Sequence, residues 1–203
     1  MAGKVFFSVS MSLDGFIAPS PSRTRWDSTG WNCSSSCSRC GSSGKNLKPG
    51  EGGEEGRDND IVRETFQHRR ERYGQRMFDA GEQAWPDEAP FHTPVFVVTH
   101  TNRDPWQRPG GTFDFVGDGI EPALHQAREA AGDQDVRIAG GGATILEYVN
   151  AGLIDEFTIA LSLLFGTGIR LFDGVDAGRV ALEPVRAEPS PRVTHLNYAF
   201  WER

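Results

Sequence analysis

The stretch from Val136 to Asn150 constrains the fold of this chain more than any other. Val136 to Ala139 has the composition of a short strand, Gly140-Gly141-Gly142 makes a sharp turn, and Ala143 to Asn150 has helical spacing closed by Gly152. Glycines at such a junction let a diphosphate approach the backbone, and the helix start beyond them offers free N–H groups and a positive dipole end. Thr144 can add a hydroxyl. The spacing is not G-x-G-x-x-G, so the dinucleotide fingerprint is not met, and a tight turn that simply needs glycine accounts for the same residues. Taken alone, the stretch leaves both explanations open.

The elements around it settle the fold class. Lys4 to Ser10 is a short apolar run of strand formers, and Pro94 to His100 is the clearest buried strand, with a shorter one at Thr112 to Val116. Ile120, Leu124, Ala127 and Ala131 fall at helical spacing, with Pro122 in the first turn, where its missing N–H does no harm. Asp58 to Phe66 reads as an Asx-capped helix start with apolar residues at 61, 62 and 66. Strands at Glu156 to Leu164, Val180 to Ala187 and Val193 to Trp201 close the chain, the last two as a hairpin around Pro189 and Pro191. The middle is β-α-β-α and the end β-β. This predicts an α/β protein with a single mixed, mainly parallel sheet flanked by helices and a C-terminal antiparallel hairpin. At 203 residues, one domain over 1–203 is expected.

Several classes are excluded. No apolar run reaches the ~18 residues of a membrane span, and the first residues lack the long apolar stretch of a signal peptide. With 21 Lys and Arg against 28 Asp and Glu, the net charge of −7 argues against a nucleic-acid or anionic-membrane partner. A cytosolic, soluble, acidic globular protein is the expectation. The cysteines stand together at Cys33, Cys37 and Cys40, inside a segment (20–56) whose Ser- and Gly-rich composition predicts irregular, poorly ordered chain. Their C-x3-C-x2-C spacing is that of the radical-SAM iron–sulfur loop, but the rest of the chain lacks the repeated βα units of the barrel that carries such a loop. Three thiols without a nearby histidine do not complete a zinc site either. The histidines at 68, 92, 100, 125 and 195 have no metal spacing, so no metal is expected.

Two further motifs carry candidate chemistry. Ser12-Leu13-Asp14-Gly15 follows the first strand; Asp-Gly is a turn signal, and a carboxylate at a strand end can also orient or protonate a substrate. Gly74-Gln75-Arg76-Met77-Phe78-Asp79 opens a short helix, and Arg76 could pair with a phosphate, although an isolated Gly-x-Arg is a weak signal and a solvated surface arginine is the default.

In order along the chain come Ser-Leu-Asp-Gly-Phe-Ile-Ala, Gly-Gln-Arg-Met-Phe-Asp, Pro-Val-Phe-Val-Val-Thr, Val-Arg-Ile-Ala-Gly-Gly-Gly-Ala-Thr-Ile, Ala-Gly-Leu-Ile-Asp-Glu and Leu-Leu-Phe-Gly-Thr-Gly-Ile-Arg-Leu-Phe. Together they resemble the dihydrofolate-reductase-like proteins related to the reductase domain of the bifunctional riboflavin-biosynthesis deaminase-reductase. The resemblance implies NADPH as cofactor and hydride transfer to a small heterocycle, pterin- or pyrimidine-like. It puts cofactor contacts on Gly74, Gln75, Arg76 and Met77, on Thr99, His100 and Thr101, and on Gly140, Gly141, Gly142, Ala143, Thr144 and Ile145. Ser12, Asp14 and Gly15 fall on the substrate side, with Asp14 as the candidate catalytic residue. Thr101 or Arg103 would then lie near a 2′-phosphate. A homodimer is also implied, with Phe157 to Leu164 as a contributing strand. A non-catalytic nucleotide-binding member of the same fold is the first alternative, and a cysteine-cluster metal or iron–sulfur protein the remote second.

The chain departs from that family in two places. Where the family carries an amphipathic helix after Ala18, and an apolar strand ending in Met-Gly, this chain has a Ser/Cys-rich tract and Gln67-His-Arg-Arg-Glu-Arg-Tyr73. Permissible codons for 67–73, read from their second base, give Ser-Thr-Gly-Ala-Ser-Val-Met, which meets Gly74 in register. Codons for 30–49, read from the third base, can give MELLIKLLEVWKQRQEPEA, with apolar residues at helical spacing. Residues from about 20 to 49 and 67 to 73 therefore read as translated out of frame, which would leave the three cysteines without function.

Overall fold

The computed structural model describes residues 3–18, 57, 60–61, 69–74, 78–79, 82, 93–101, 103–162, 165–190 and 193–201, with backbone alone at 18 and 69–74. The cysteine tract, Gln75 to Met77 and most of the helix expected from Asp58 lie outside these residues, although 57, 60 and 61 are helical and Ile61 is buried.

The strands are β1 (Val5–Ser12), β2 (Phe16–Ala18), β3 (Arg69–Gly74), β4 (Val95–Val98), β5 (Trp106–Arg108), β6 (Gly111–Val116), β7 (Asp135–Ile138), β8 (Glu156–Ser162), β9 (Ile169–Arg170), β10 (Ala181–Pro189) and β11 (Val193–Trp201). The helices described along their whole length are α1 (Ile120–Ala131) and α2 (Gly142–Asn150). Nine strands form one sheet in the order β10-β11-β8-β1-β7-β3-β4-β6-β5. From β8 to β6 every pairing is parallel, whereas β5, β11 and β10 join through antiparallel pairs. This is the mixed, mainly parallel sheet that the element order predicts, with the C-terminal hairpin at one end.

Both faces of the sheet are covered, as parallel strands require. Along β4, Phe96 and Val98 join the larger core with Phe7, Val136, Ile138, Ile145, Tyr148 and Phe157, while Val95 and Val97 join a second core with Phe78 and Phe113. Phe7 and Phe157 stack with centroids 4.9 Å apart, locking neighbouring β1 and β8. Helix α1 buries Ala123, Leu124, Ala127 and Ala131; of the stripe read from the sequence only Ile120 is partly buried, and Ala123 joins it. It ends at Gly132, whose φ of 63° few other residues adopt. His125 is exposed beside Glu129 on the same helix.

The structure adjusts two boundaries and bears on the strand expected to pair with a partner. Gly142 belongs to α2, so the turn before the helix is two glycines rather than three. Pro189 ends β10 instead of sitting in the hairpin turn, which is closed by Ser190: its N–H and Oγ–H both donate to the Val193 carbonyl. Prolines are tolerated there because β10 is an edge strand. Finally, β8 has both edges paired, to β1 and β11, so it cannot join a partner's sheet. Among the described residues no helix is long and apolar enough to cross a membrane.

Candidate active site at the carboxy edge of the sheet

Parallel strands end on the same side, and four motifs leave the sheet along that one edge. Ser12–Gly15 follows β1, Gly140–Gly142 follows β7, Gly74 ends β3, and Thr99–Thr101 follows β4. Because β1, β7, β3 and β4 are consecutive neighbours, segments more than 120 residues apart in sequence stand side by side at that edge. Crevices at this end of open α/β sheets are where ligands bind.

The turn after β1 is built around Asp14. The Ser12 hydroxyl donates to Asp14 Oδ1 (2.6 Å) and accepts the Phe16 N–H (2.9 Å), while Gly15 N–H closes the turn on the Ser12 carbonyl (2.9 Å). Gly15 has φ +92°, which explains why glycine stands there. A second segment locks the turn from outside: the Gly166 N–H donates to Asp14 Oδ1 (2.9 Å), Leu171 N–H to the Gly15 carbonyl (3.1 Å), and β9 pairs with β2. Arg170 lies over the Phe16 ring, 4.7 Å from its centroid. The Ser12 hydroxyl above all, then the Gly166 N–H and the Arg170 charge, hold the Asp14 carboxyl below its ordinary value against some desolvation. Asp14 is therefore an anion at neutral pH, able to accept a hydrogen bond but not to deliver a proton. Its stabilising bonds are complete above the ordinary carboxylate range and are lost only as pH falls through the lowered value. The lowered value favours the carboxylate, the form that accepts hydrogen bonds.

The glycine turn lies against this same unit. A Cβ on Gly142 would come within 3.0 Å of Ile17 Cδ1 and 3.2 Å of Ile169 Cγ2, so a side chain there would crowd both isoleucines where α2 starts against β2 and β9. Gly141 is exposed, and a Cβ there would meet nothing within 4 Å. The peptide between Gly140 and Gly141 is cis. Helix α2 starts with no side-chain cap on Gly141 and no acidic residue in its first turn, which suits an anion. An open backbone surface beside an uncapped helix start fits the diphosphate of a nucleotide. Ala143 is exposed and Thr144 half-buried. Ile145 is different: its side chain is in the core and its N–H is spent on the Gly141 carbonyl (3.0 Å).

After β4, buried Thr99 donates its N–H to the Val116 carbonyl (3.1 Å), and its Oγ accepts the Thr101 N–H (3.0 Å), leaving His100 and Thr101 exposed. Gly74 stands at the end of β3 opposite Val98 of β4. Gln75, Arg76 and Met77 lie outside the described residues. Sequence reasoning missed Gly166 and Arg170 as parts of the Asp14 turn; the Gly-Thr-Gly-Ile-Arg run was visible, but a backbone N–H leaves no residue signature.

The mixed, mainly parallel sheet, helices α1 and α2 and the motifs gathered at the carboxy edge are those of a dihydrofolate-reductase-like α/β protein. More closely, the chain belongs to the RibD C-terminal domain family, whose model matches residues 3–196. Among solved structures it is similar to a Shewanella sp. PV-4 protein named for riboflavin biosynthesis, with TM-score 0.64 and 18% identity over 98% of this chain and 99% of that one. It is also similar to Enterococcus faecalis dihydrofolate reductase complexed with NADP(H) and RAB-propyl, with TM-score 0.56 and 17% identity over 98% of both chains. At these identities the likeness is one of fold. No curated protein matches the chain in sequence.

Proposed function

We propose that this protein is an NADPH-dependent reductase that passes hydride to a small heterocyclic acceptor, pterin- or pyrimidine-like. The observation that carries the reading is the convergence of the Asp14 turn and the Gly140–Gly142 turn at one edge of the sheet, in contact through Ile17, Ile169 and Gly142. Bound NADPH supplies the hydride; the chain supplies binding and orientation. The exposed backbone at Gly141 and the first turn of α2, Gly142 to Ile145, take the diphosphate, with Ile145 acting through the core that holds the helix. Gly74 to Met77 and Thr99 to Thr101 receive the rest of the nucleotide. Ser12 and Gly15 shape the substrate turn, and the Asp14 carboxylate accepts an N–H or O–H of the acceptor, which fixes its reacting carbon. The proton that completes reduction then comes from a group other than Asp14.

The test is NADPH oxidation with pterin and pyrimidine acceptors, by the wild type and Asp14→Asn. Asn keeps an oxygen for Ser12 and Gly166 but loses the charge. The Michaelis constant of the acceptor should rise about tenfold, the worth of one charge-assisted hydrogen bond, with turnover little changed. A fall in turnover at constant Michaelis constant would sink the orienting role. NADPH binding without oxidation of any acceptor would favour a non-catalytic member of the family.

We further propose a single cytoplasmic domain that pairs as a homodimer. The edge strand β10 supports pairing better than β8, because Leu182 and Val185 on it are exposed beside Trp201 of β11. Light scattering should give twice the chain mass at micromolar concentration, and a monomer there removes the claim.

A further inference from the structure

Residues that follow β3 and residues that follow β4 are fastened together by one side chain. Arg103 donates from Nη1 to Glu82 Oε2 (3.1 Å) and from Nη2 to Glu82 Oε1, a fork-on-fork pairing. The same guanidinium lies over three rings, 4.7 Å from the centroid of Phe115, 5.3 Å from Phe78 and 5.6 Å from Trp106. Phe78 is almost wholly buried and meets Trp106, Phe113 and Phe115 edge-on, so it is fixed to β5 and β6. Glu82 and Phe78, four residues apart in the helical residues after β3, thus grip Arg103 from two sides.

The pairing favours the charged form of both partners. Its hydrogen bonds hold Glu82 below its ordinary value and raise Arg103. To reach a nucleotide phosphate, Arg103 would have to abandon two charge-assisted bonds and its aromatic seat. That cost argues against the 2′-phosphate role suggested by its place in the sequence. Its position suggests another task. Arg103 stands two residues after Thr101, and Phe78 four residues after Gly74.

We propose that Arg103 is a positioning residue whose clamp on Glu82 and Phe78 sets the spacing between the exits of β3 and β4. The consequence for cofactor binding rests on the reading of those exits as part of the NADPH site. A clamp acts on the whole nucleotide, whereas a 2′-phosphate ligand acts only on the phosphorylated one.

The variants that separate these are Arg103→Ala, Arg103→Lys and Glu82→Gln, with dissociation constants for NADPH and NADH measured on each. All three should weaken both nucleotides about tenfold, roughly the worth of a charge-assisted pair, and leave the NADPH-to-NADH ratio unchanged. Lysine should not rescue, because it keeps the charge but lacks the fork. Loss confined to NADPH, with Glu82→Gln neutral, would overturn the inference in favour of a phosphate ligand. Hydrogen exchange without nucleotide gives an independent readout. Amides at 98–103 and 78–82 should exchange faster in all three variants, while those of β1 and β8 stay unchanged. Unchanged exchange, or equal acceleration throughout the chain, would equally overturn the clamp. If the wild type binds neither nucleotide, the cofactor reading fails, and exchange alone still decides whether Arg103 spaces the two exits.

Discussion

Replacing residues 67–73 by Ser-Thr-Gly-Ala-Ser-Val-Met should stabilise the chain by about 3 kcal/mol or more, the scale of charges misplaced among apolar neighbours. The reason lies in the position of β3. Arg70 stands opposite Val136 of β7, and Arg72 between Ile138 of β7 and Phe96 of β4. Those partners are buried, as are Val95 and Val97 along the same strand. Arg69 and Glu71 stand opposite the half-buried Asp135 and Arg137 of β7, but at Arg70 and Arg72, opposite buried apolar residues, the fold asks for small apolar side chains. The out-of-frame peptide supplies them without altering length or the Gly74 exit. In urea the midpoint should rise by about 1 M or more, taking a slope of about 2–3 kcal/mol per molar. An unchanged midpoint would remove the explanation. Codons at 67–73 that cannot encode the restored peptide would show that the charged strand is genuine.

This strand also marks the limit of what the sequence disclosed. Its place was legible from the motifs on either side, but not from its own residues, which show neither alternation nor an apolar run. By contrast β1, β4, β7 and α2 were legible because burial on both faces, or one helical stripe, leaves a pattern in side-chain type. The short strands β2, β5 and β9 have two or three residues each, too few for any period to appear. The site divides the same way. Its glycine turn and Asp14 turn were visible as residue types, whereas the bonds that define their environment join distant segments. Gly166 reaches Asp14 across 152 positions through a backbone N–H. Glu82 reaches Arg103 across 21, and nothing in either local sequence names the other. Asp14 shows why this matters: its type allows both proton relay and orientation, and only Ser12, Gly166 and Arg170 around it decide for the anion.

Gly141→Asp should abolish the rise in melting temperature that NADPH produces in the wild type. A ligand that binds only the native state stabilises it by RT ln(1 + [L]/Kd), about 2.7 kcal/mol at a hundredfold excess over Kd. That is a shift of several degrees for a domain of this size. At Gly141 the backbone lies at φ −66° and ψ −173°, an extended conformation open to other residues. A new Cβ would find no atom within 4 Å, so the substitution adds charge without crowding. The carboxylate would sit at the uncapped start of α2, where it should cap the helix and occupy the place proposed for the diphosphate. The apo variant should therefore melt at or slightly above the wild-type temperature, yet fail to respond to NADPH. Gly141→Asn, which can also cap but brings no charge, should keep part of the response. A full NADPH shift in Gly141→Asp would place the nucleotide elsewhere, because two negative groups cannot share a helix start that holds one.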